Sequence, residues 1–161
     1  MTAPLQLVLV TPEIPANTGN IVRLCACADV PLHLVEPLGF LIDDRVLKRA
    51  GLDYWDQCKI QRHLVFEKIE HEYPGSRFLF LSARAQRSFF EAAIKPGDFL
   101  VLGPESSGLT ESFLSQADRR EHTFRIPMPG NTRSLNLSTA AGIVVYEALR
   151  RLGALRMQRE S

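Results

Sequence analysis

The sequence predicts one α/β domain built on a parallel sheet. Apolar runs of strand length alternate with segments whose apolar residues recur at helical spacing, and Gly, Pro, Asn or Asp separate them. A length of 161 residues is usual for one domain, and 45% hydrophobic with 23% charged residues is the composition of an ordinary globular protein. Because we find neither an internal repeat nor a linker, a single domain over residues 1–161 is the simplest interpretation.

The first half of the chain contains two predicted strands and three predicted helices. Leu5–Val10 and residues 33–35 are the strands, since both are short runs rich in apolar residues. Between them, a helix over about residues 18–28 places Ile21, Cys25 and Ala28 on one buried face. A short basic helix over residues 43–50 and another helix over residues 65–73 follow.

The second half contains three predicted strands and a long final helix. The strands are Phe78–Leu81, residues 99–102 and residues 123–126, and each ends in a polar or Gly/Pro-containing loop. The helix covers about residues 137–152, where apolar residues recur at helical spacing. An α/β sheet binds ligands at the carboxyl ends of its strands, so the loops after these strands are the first places to look for a site.

Composition and cysteine content favour a cytoplasmic protein without a metal site. The longest apolar runs fall far short of the roughly 20 residues that a membrane helix needs, and the N-terminus lacks the basic flank and apolar core of a signal sequence. The three cysteines, Cys25, Cys27 and Cys58, form no CxxC pair. We therefore expect buried thiols in a reducing compartment, with neither a disulfide framework nor bound metal.

The charges are unevenly distributed although the formal net charge is only +1. Residues 119–161 contain eight arginines against three glutamates, and residues 45–62 contain five basic residues against two aspartates. Two basic regions therefore flank a near-neutral body. They fit a nucleic-acid partner, but ordinary solvated helix faces explain them equally well.

Residues 12–23 are the first of three segments that carry more polar residues than a turn requires. Asn17 is positioned to cap the following helix, which would leave the amides of residues 18–20 free to hold an anion. Arg23, about one turn further on, could grip a phosphate, or it could be an ordinary surface residue. No Gly-Lys-Ser/Thr sequence and no G-x-G-x-x-G sequence is present, which argues against a nucleotide hydrolase or a dinucleotide-binding protein.

The other two segments are residues 102–109 and 126–138. In the first, glycines at both ends allow the backbone to approach a ligand, and Glu105 is the only charged residue, although an ordinary Gly/Pro turn is an alternative. The second places Arg133, Ser134 and Asn136 before the last helix, where a cluster of capping residues is the alternative.

Together these segments resemble the three motifs of the SPOUT RNA methyltransferases. Residues 17–23, 102–109 and 126–138 carry the resemblance in the order that the family has. The short chain and the segments at residues 12–25, 36–40 and 49–54 are most similar to the small tRNA 2′-O-methyltransferases that act at the wobble nucleotide. The resemblance covers nearly the whole chain, and the ordered set is specific where each motif alone is weak.

The resemblance implies a fold, a cofactor and an assembly. The fold is a parallel-sheet α/β domain whose C-terminal segment forms a deep trefoil knot. S-adenosylmethionine would sit in that knot, in contact with Leu81, Gly103, Ile126 and Ser134. The family works as a homodimer, in which Arg23 of one subunit would serve the pocket of the other.

The same resemblance implies a reaction and the residues around it. Arg23, Ser134, Asn136 and Tyr146 would surround the target ribose, and Asn17, Arg133 and the basic segment at Arg45 and Arg49 would hold the anticodon region of the tRNA. The expected activity is 2′-O-methylation of a wobble cytidine or modified uridine, with leucine tRNAs as the expected substrates. Methylation of another tRNA position or of rRNA, and non-catalytic RNA binding by the same fold, remain alternatives.

Overall fold

The computed structural model describes residues 2–42, 45, 49 and 54–157, which form a six-stranded sheet with helices on both faces. All five strand pairings are parallel, which confirms the predicted parallel-sheet α/β class, while the knot that the resemblance implies stays a prediction. In chain order the elements are β1 (Leu5–Val10), α1 (Pro15–Ala28), β2 (Leu32–Val35), β3 (Ile60–His63), α2 (Phe66–Glu72), β4 (Phe78–Leu81), a 3-10 turn (Phe89–Glu91), β5 (Asp98–Leu102), α3 (Glu111–Leu114), a second 3-10 turn (Arg119–His122), β6 (Thr123–Phe124) and α4 (Leu137–Arg151).

The strand order β3-β2-β1-β5-β4-β6 puts β1 near the middle of the sheet. The chain first builds outward from β1 to β2 and β3, and then returns to fill the other side through β4, β5 and β6. The order therefore reverses between β1 and β5, which pair over Leu5–Leu9. In open α/β sheets this reversal opens a crevice at the carboxyl ends of the two strands, so the fold itself directs attention to the loops after β1 and β5.

Two hydrophobic layers cover the faces of the sheet. On one face α1 and α4 pack together, and Ile21, Ala141 and Val145 are fully buried there. On the other face Phe66 and Phe99 belong to a second cluster under α2. None of the helices formed by the described residues is long and apolar enough to cross a membrane.

Several sequence expectations need correction. β3 was not predicted, because its residues Gln61 and Arg62 are polar and exposed, and β6 ends at Phe124 rather than at residue 126. The expectation that the thiols are buried is wrong for Cys27, which is exposed. The predicted helix over residues 43–50 lies mostly outside the described residues, of which Arg45 and Arg49 are helical and exposed.

Helix α1 also begins earlier than predicted, which changes the role of Asn17. The helix begins at Pro15 with Ile14 in the N-cap position, and proline suits a first helical position because its missing N–H would have had no partner there. Asn17 is therefore a buried residue inside the helix and not its cap. The amide of Thr18 donates to the carbonyl of Ile14, and residues 19 and 20 lie inside the helix, so the predicted anion site at the amides of residues 18–20 is wrong.

A buried pair of histidines joins β2 to β3. Nδ1 of His33 lies 2.9 Å from Nε2 of His63, and Nε2 of His33 lies 2.7 Å from Oε1 of Gln6. Burial lowers the pKa of His33 from 6.5 to about 4, with the neighbouring His63 as the second cause, and burial lowers the pKa of His63 as well. Both rings are therefore neutral in the folded protein at neutral pH.

We expect the free energy of unfolding to fall as the pH drops from 6.5 towards 4. Below pH 6.5 the unfolded chain binds a proton at His33 that the folded chain does not bind, so stability is complete above pH 6.5 and is lost towards pH 4. The loss from His33 should be about 3 kcal/mol. Urea unfolding at pH 7, 5.5 and 4.5 measures it. His33→Gln should weaken the dependence of the unfolding free energy on pH. His71 is an exposed histidine on α2, so His71→Gln should leave that dependence unchanged.

Candidate active site

The loops after β4, β5 and β6 enclose a cleft of about 840 Å³ at the carboxyl edge of the sheet. Its walls include the four residues that the family resemblance assigns to the cofactor, Leu81, Gly103, Ile126 and Ser134. Leu81 ends β4, Gly103 follows β5 and Ile126 lies just beyond β6, so the parallel topology brings together residues that are far apart in the chain. Arg84, Glu105 and Arg133 are the charged residues among the described residues that line the cleft.

Gly103 is a tightly packed position in the cleft wall. A Cβ atom there would lie 2.4 Å from the Leu109 nitrogen and 2.6 Å from the Gly108 carbonyl carbon. Both neighbours are backbone atoms, so they could not rotate away. Only glycine therefore permits the loop from residue 103 to residue 109 to fold back on itself at the end of β5.

Glu105 occupies the anion site at the start of α1. Its carboxylate accepts hydrogen bonds from the backbone N–H of Glu13 at 2.7 Å, from that of Ile14 at 3.0 Å and from the Asn17 side chain at 3.3 Å. The first turn of a helix presents unpaired N–H groups, and a carboxylate satisfies them. Glu105 thus fastens the β5 loop to the β1 loop.

A reciprocal contact joins Glu13 of the β1 loop to the β5 loop. Oε1 of Glu13 accepts hydrogen bonds from the backbone N–H of Ser106 at 3.0 Å and from its hydroxyl at 2.7 Å. These two bonds lower the pKa of Glu13, so its carboxylate is charged at neutral pH. Two glutamates, each held by the other's loop, therefore close the crevice where the strand order reverses.

Asn17 continues this network to the last helix. Its Oδ1 accepts a hydrogen bond from Nδ2 of Asn136 at 3.0 Å. Asn136 is the N-cap of α4, since its own Oδ1 accepts from the backbone N–H of Ser138 at 2.9 Å and of Thr139 at 3.3 Å. The chain Glu105, Asn17, Asn136 therefore connects all the segments that the sequence singled out.

Arg84 is a cleft residue that sequence reasoning missed. Its guanidinium donates to the carbonyl oxygens of Ser107 at 3.2 Å and Leu109 at 3.4 Å, which ties the β4 loop to the β5 loop. The only local signal is a basic residue three positions after a buried strand, and such a residue is common on any surface. Its partners lie more than twenty residues away, so the sequence alone could not single it out.

Arg23 and Tyr146 do not line the cleft of their own chain. Arg23 is an exposed residue of α1, and its guanidinium carbon lies 4.9 Å from the centre of the Tyr54 ring. Tyr146 is 44% exposed on α4. Of the four residues predicted to surround the target, the structure thus brings Ser134 and Asn136 to the cleft and leaves the other two outside it.

Glu105→Gln should loosen the connection between the two loops. The amide of glutamine replaces one carboxylate oxygen with an NH₂ group that would face a backbone N–H, so one of the two backbone bonds is lost. We expect the free energy of unfolding to fall by about 2 kcal/mol, measured by urea unfolding. Glu111→Gln is the matched control, because Glu111 pairs with Arg120 in an exposed surface ion pair. An equal loss in both variants would contradict this role of Glu105.

Among the described residues, no group of three His, Cys, Asp or Glu side chains is placed to hold a metal ion. The cleft offers backbone groups, hydroxyls and apolar side chains beside the charged Arg84, Glu105 and Arg133. Such a lining suits a ligand that is recognised by its shape and by the hydrogen-bonding groups at its edges.

The family follows from comparison with known proteins. Residues 4–146 match the model of the SpoU rRNA Methylase family. This chain belongs to that family. The match spans the β1 loop, the β5 loop and most of α4, so the whole network around the cleft lies within the matched region.

Curated relatives and solved structures agree with this membership. A protein of Saccharophagus degradans named tRNA (cytidine(34)-2'-O)-methyltransferase is 45% identical over 147 residues, which cover 91% of this chain and 95% of the relative. A protein of Escherichia coli K12 with the same name is 45% identical over 150 residues, covering 92% and 94%. A structure described as giving insights into the 2-OH methylation of C/U34 on tRNA is 46% identical with a TM-score of 0.88, covering 95% of this chain and 99% of that one.

A more distant structure shares the fold. The SpoU methyltransferase AviRb from Streptomyces viridochromogenes, solved in complex with AdoMet, has a TM-score of 0.79 at 21% identity. The superposition covers 97% of this chain and 61% of that one. This SpoU methyltransferase thus has the same arrangement of strands and helices.

Proposed function

We propose that this protein transfers a methyl group from S-adenosylmethionine to the ribose 2′-hydroxyl of cytidine 34, the wobble nucleotide, of a tRNA. The observation that carries the proposal is the cleft at the carboxyl edge, lined by all four residues predicted for the cofactor, in a chain whose relatives at 45% identity bear this activity in their names. Modified uridine at the same position and leucine tRNAs are the finer expectations.

The cleft fits the cofactor on two grounds. It is large enough for a ligand of this size, at about 840 Å³, and its wall at Gly103 is a backbone segment that only glycine allows to close against residues 108 and 109. Leu81, Gly103, Ile126 and Ser134 would hold the cofactor. When bound, it supplies an activated methyl group on a positively charged sulfur.

The protein's own residues must then align the ribose and help to remove its proton. Ser134 and Asn136 line the cleft and would contact the target nucleotide. Arginine stays protonated at neutral pH, so Arg23 is a poor base. Its role would be to orient the 2′-hydroxyl and the adjacent phosphate and to stabilise developing negative charge, while a phosphate oxygen or water accepts the proton.

A homodimer would complete the site. Arg23 and Tyr146 lie outside the cleft of their own chain and are accessible on α1 and α4. These two helices pack side by side on one face of the sheet, so a second copy docked there would receive both side chains. We therefore propose that Arg23 and Tyr146 of each subunit act at the cleft of the other.

Phosphate contacts would come from exposed arginines. Arg133 lines the cleft and is exposed, and Arg45 and Arg49 are exposed as well. Asn17, which the resemblance also suggested for tRNA, is buried and bonded to Glu105 and Asn136, so it is a positioning residue here. Binding through the arginines should weaken steeply with salt.

The test is methylation of total tRNA from a strain that lacks the enzyme. Purified protein is incubated with labelled S-adenosylmethionine, and the modified nucleotide is mapped. We expect a 2′-O-methyl group at position 34, with leucine tRNAs as the main acceptors. Label at another tRNA position would keep the chemistry and overturn the substrate. No measurable cofactor affinity would favour a non-catalytic RNA-binding protein, whereas cofactor binding without transfer would point to a missing RNA or partner.

A further inference from the structure

Arg84 brings a positive charge to the cofactor cleft, and much of its hydrogen-bonding capacity is unused there. The side chain is exposed and lines the cleft. Its Nη2 donates to the carbonyl oxygens of Ser107 and Leu109. Its Nε and Nη1 donate to no acceptor among the described residues, and none of their carboxylates forms an ion pair with it. The guanidinium therefore keeps N–H groups for a ligand.

The chain fixes Arg84 at both ends of the residue. The hydroxyl of Ser82 accepts a hydrogen bond from the backbone N–H of Arg84 at 3.2 Å, and the carbonyl of Ser82 accepts one from the N–H of Ala85 at 3.2 Å. These bonds form a turn directly after β4, while the carbonyls of the β5 loop hold the guanidinium. An arginine that is already held in one place loses less conformational entropy when it binds a ligand.

The cleft offers Arg84 no free negative charge. Glu105 is the only acidic residue among the described residues that line the cleft, and both of its carboxylate oxygens accept hydrogen bonds at the start of α1. Arg133 also lines the cleft, is exposed and has no carboxylate partner in the described part of the chain. The cleft thus contains two arginines without an ion-pair partner, which favours a ligand with a negatively charged group.

The two arginines belong to different segments of the site. Arg84 follows Leu81 by three residues and bonds to the loop that begins at Gly103, and both of those residues are proposed cofactor contacts. Arg133 lies in the segment that leads to Asn136, which we assign to the target nucleotide. This placement favours the cofactor as the ligand of Arg84.

We propose that Arg84 binds the carboxylate of the methionine part of S-adenosylmethionine through N–H groups that the protein leaves unused. This inference rests on the proposed function, and it adds a cofactor-binding residue that contributes a side-chain charge. A guanidinium and a carboxylate match in shape, because two parallel N–H groups can donate to the two oxygens. The sulfur and the amino group of this cofactor are both positive. Its carboxylate is the group that needs a cation when the cofactor leaves water.

The first test changes one functional group of the ligand and leaves the protein untouched. Decarboxylated S-adenosylmethionine keeps the adenosine, the sulfonium and the amino group, and it lacks only the carboxylate. We expect the Kd measured by calorimetry to be about tenfold or more higher for the decarboxylated ligand, as for the loss of a hydrogen bond between charged groups. Equal Kd values for the two ligands would overturn the proposal.

The second test repeats both titrations with Arg84→Gln. The readout is the ratio of the two Kd values, because a β5 loop that is merely looser would weaken both ligands alike. The ratio of about tenfold expected for the wild type should fall to about one in the variant. An unchanged ratio would mean that Arg84 only joins the two loops, and it would overturn the proposal.

Arg87→Gln is the matched control for these titrations. Arg87 is an exposed arginine three residues further along the same loop, and it does not line the cofactor cleft. Its guanidinium carbon lies 4.6 Å from the centre of the Phe124 ring. The variant removes the same charge from the same loop, so we expect both Kd values of the wild type. A ratio that falls equally in Arg87→Gln would assign the effect to the net charge and overturn the proposal.

A phosphate of the RNA is the other anion that fits an arginine, and tRNA titrations distinguish it. If Arg84 contacts RNA instead, Arg84→Gln should keep the wild-type Kd for S-adenosylmethionine, raise the KM for tRNA and lower the salt dependence of tRNA binding by about one phosphate contact. That result would overturn the proposal.

The outcomes also separate this inference from the proposed function, because calorimetry with the cofactor requires no RNA. If the wild type binds no S-adenosylmethionine, both fail. If it binds the cofactor with no preference for the carboxylate and methylates position 34, only the role of Arg84 fails. Carboxylate-dependent binding that is lost in Arg84→Gln supports that role even where position 34 is not the target.

Discussion

Replacing Arg23 by Ala should reduce methyl transfer by about 10²–10³-fold and leave cofactor affinity unchanged, since removal of one charge-stabilising donor has an effect of this size. Arg23 lies outside the cofactor cleft of its own chain, so its loss should not disturb cofactor binding. Single-turnover transfer to tRNA measures the first effect and calorimetry with S-adenosylmethionine measures the second. Arg120→Ala, which removes a surface arginine paired with Glu111, is the matched control.

Two results would contradict this role for Arg23. One is transfer at the wild-type rate by Arg23→Ala. The other is a parallel loss of cofactor affinity, which would mean that Arg23 supports the fold of α1 through its contact with Tyr54. Arg23→Lys should recover little activity, because a lysine has one ammonium in place of the planar fork that can contact a hydroxyl and a phosphate together.

Gly103→Ala should weaken S-adenosylmethionine binding and transfer by about 10²-fold, the effect expected from a displacement of about 1 Å at a site. The added Cβ would lie 2.4 Å from the Leu109 nitrogen, so the β5 loop must move away from the end of β5. Calorimetry measures the change in affinity. Gly130→Ala is the control, since a Cβ there meets no atom within 4 Å and Gly130 does not line the cleft. Unchanged affinity in Gly103→Ala would exclude this wall as a cofactor contact.

The two variants together test the proposed dimer. If Arg23 acts at the cleft of the partner, a mixed dimer of Arg23→Ala and Gly103→Ala subunits contains one site with an intact cleft and an intact arginine. Mixing the two inactive proteins should then restore part of the activity. Should the mixture stay inactive although mixed dimers form, Arg23 would act on its own subunit.

Much of the fold could be predicted from the sequence because its signals are local. The apolar run Leu5–Val10 and the helical spacing in α4 are each recognised from neighbouring residues. Both elements are present in the structure. β3 was missed because it carries no such local signal. Its central residues Gln61 and Arg62 are exposed, so no apolar period marks the strand, and its parallel pairing with β2 defines it.

The candidate site was predictable as a set of loops but not as a network. The order of the three motifs identified the family, and the parallel topology brings their loops to one edge of the sheet. Which residues of these loops form hydrogen bonds with each other was not predictable. Asn17 was expected to cap α1, whereas Pro15 starts the helix earlier and Glu105 takes the position of the helix-capping anion.

By itself the sequence determined the fold class, most of the elements and the segments that form the cleft, because periodicity, turn residues and motif order are properties of neighbouring residues. Tertiary structure alone decided that Glu105 binds the start of α1 across about ninety positions, that Arg84 joins two loops, and that Asn17 bonds to Asn136. Those contacts form only when the sheet brings distant strand ends together. A hydrogen bond depends on the distance between two atoms in space, and no local pattern in the chain encodes that distance.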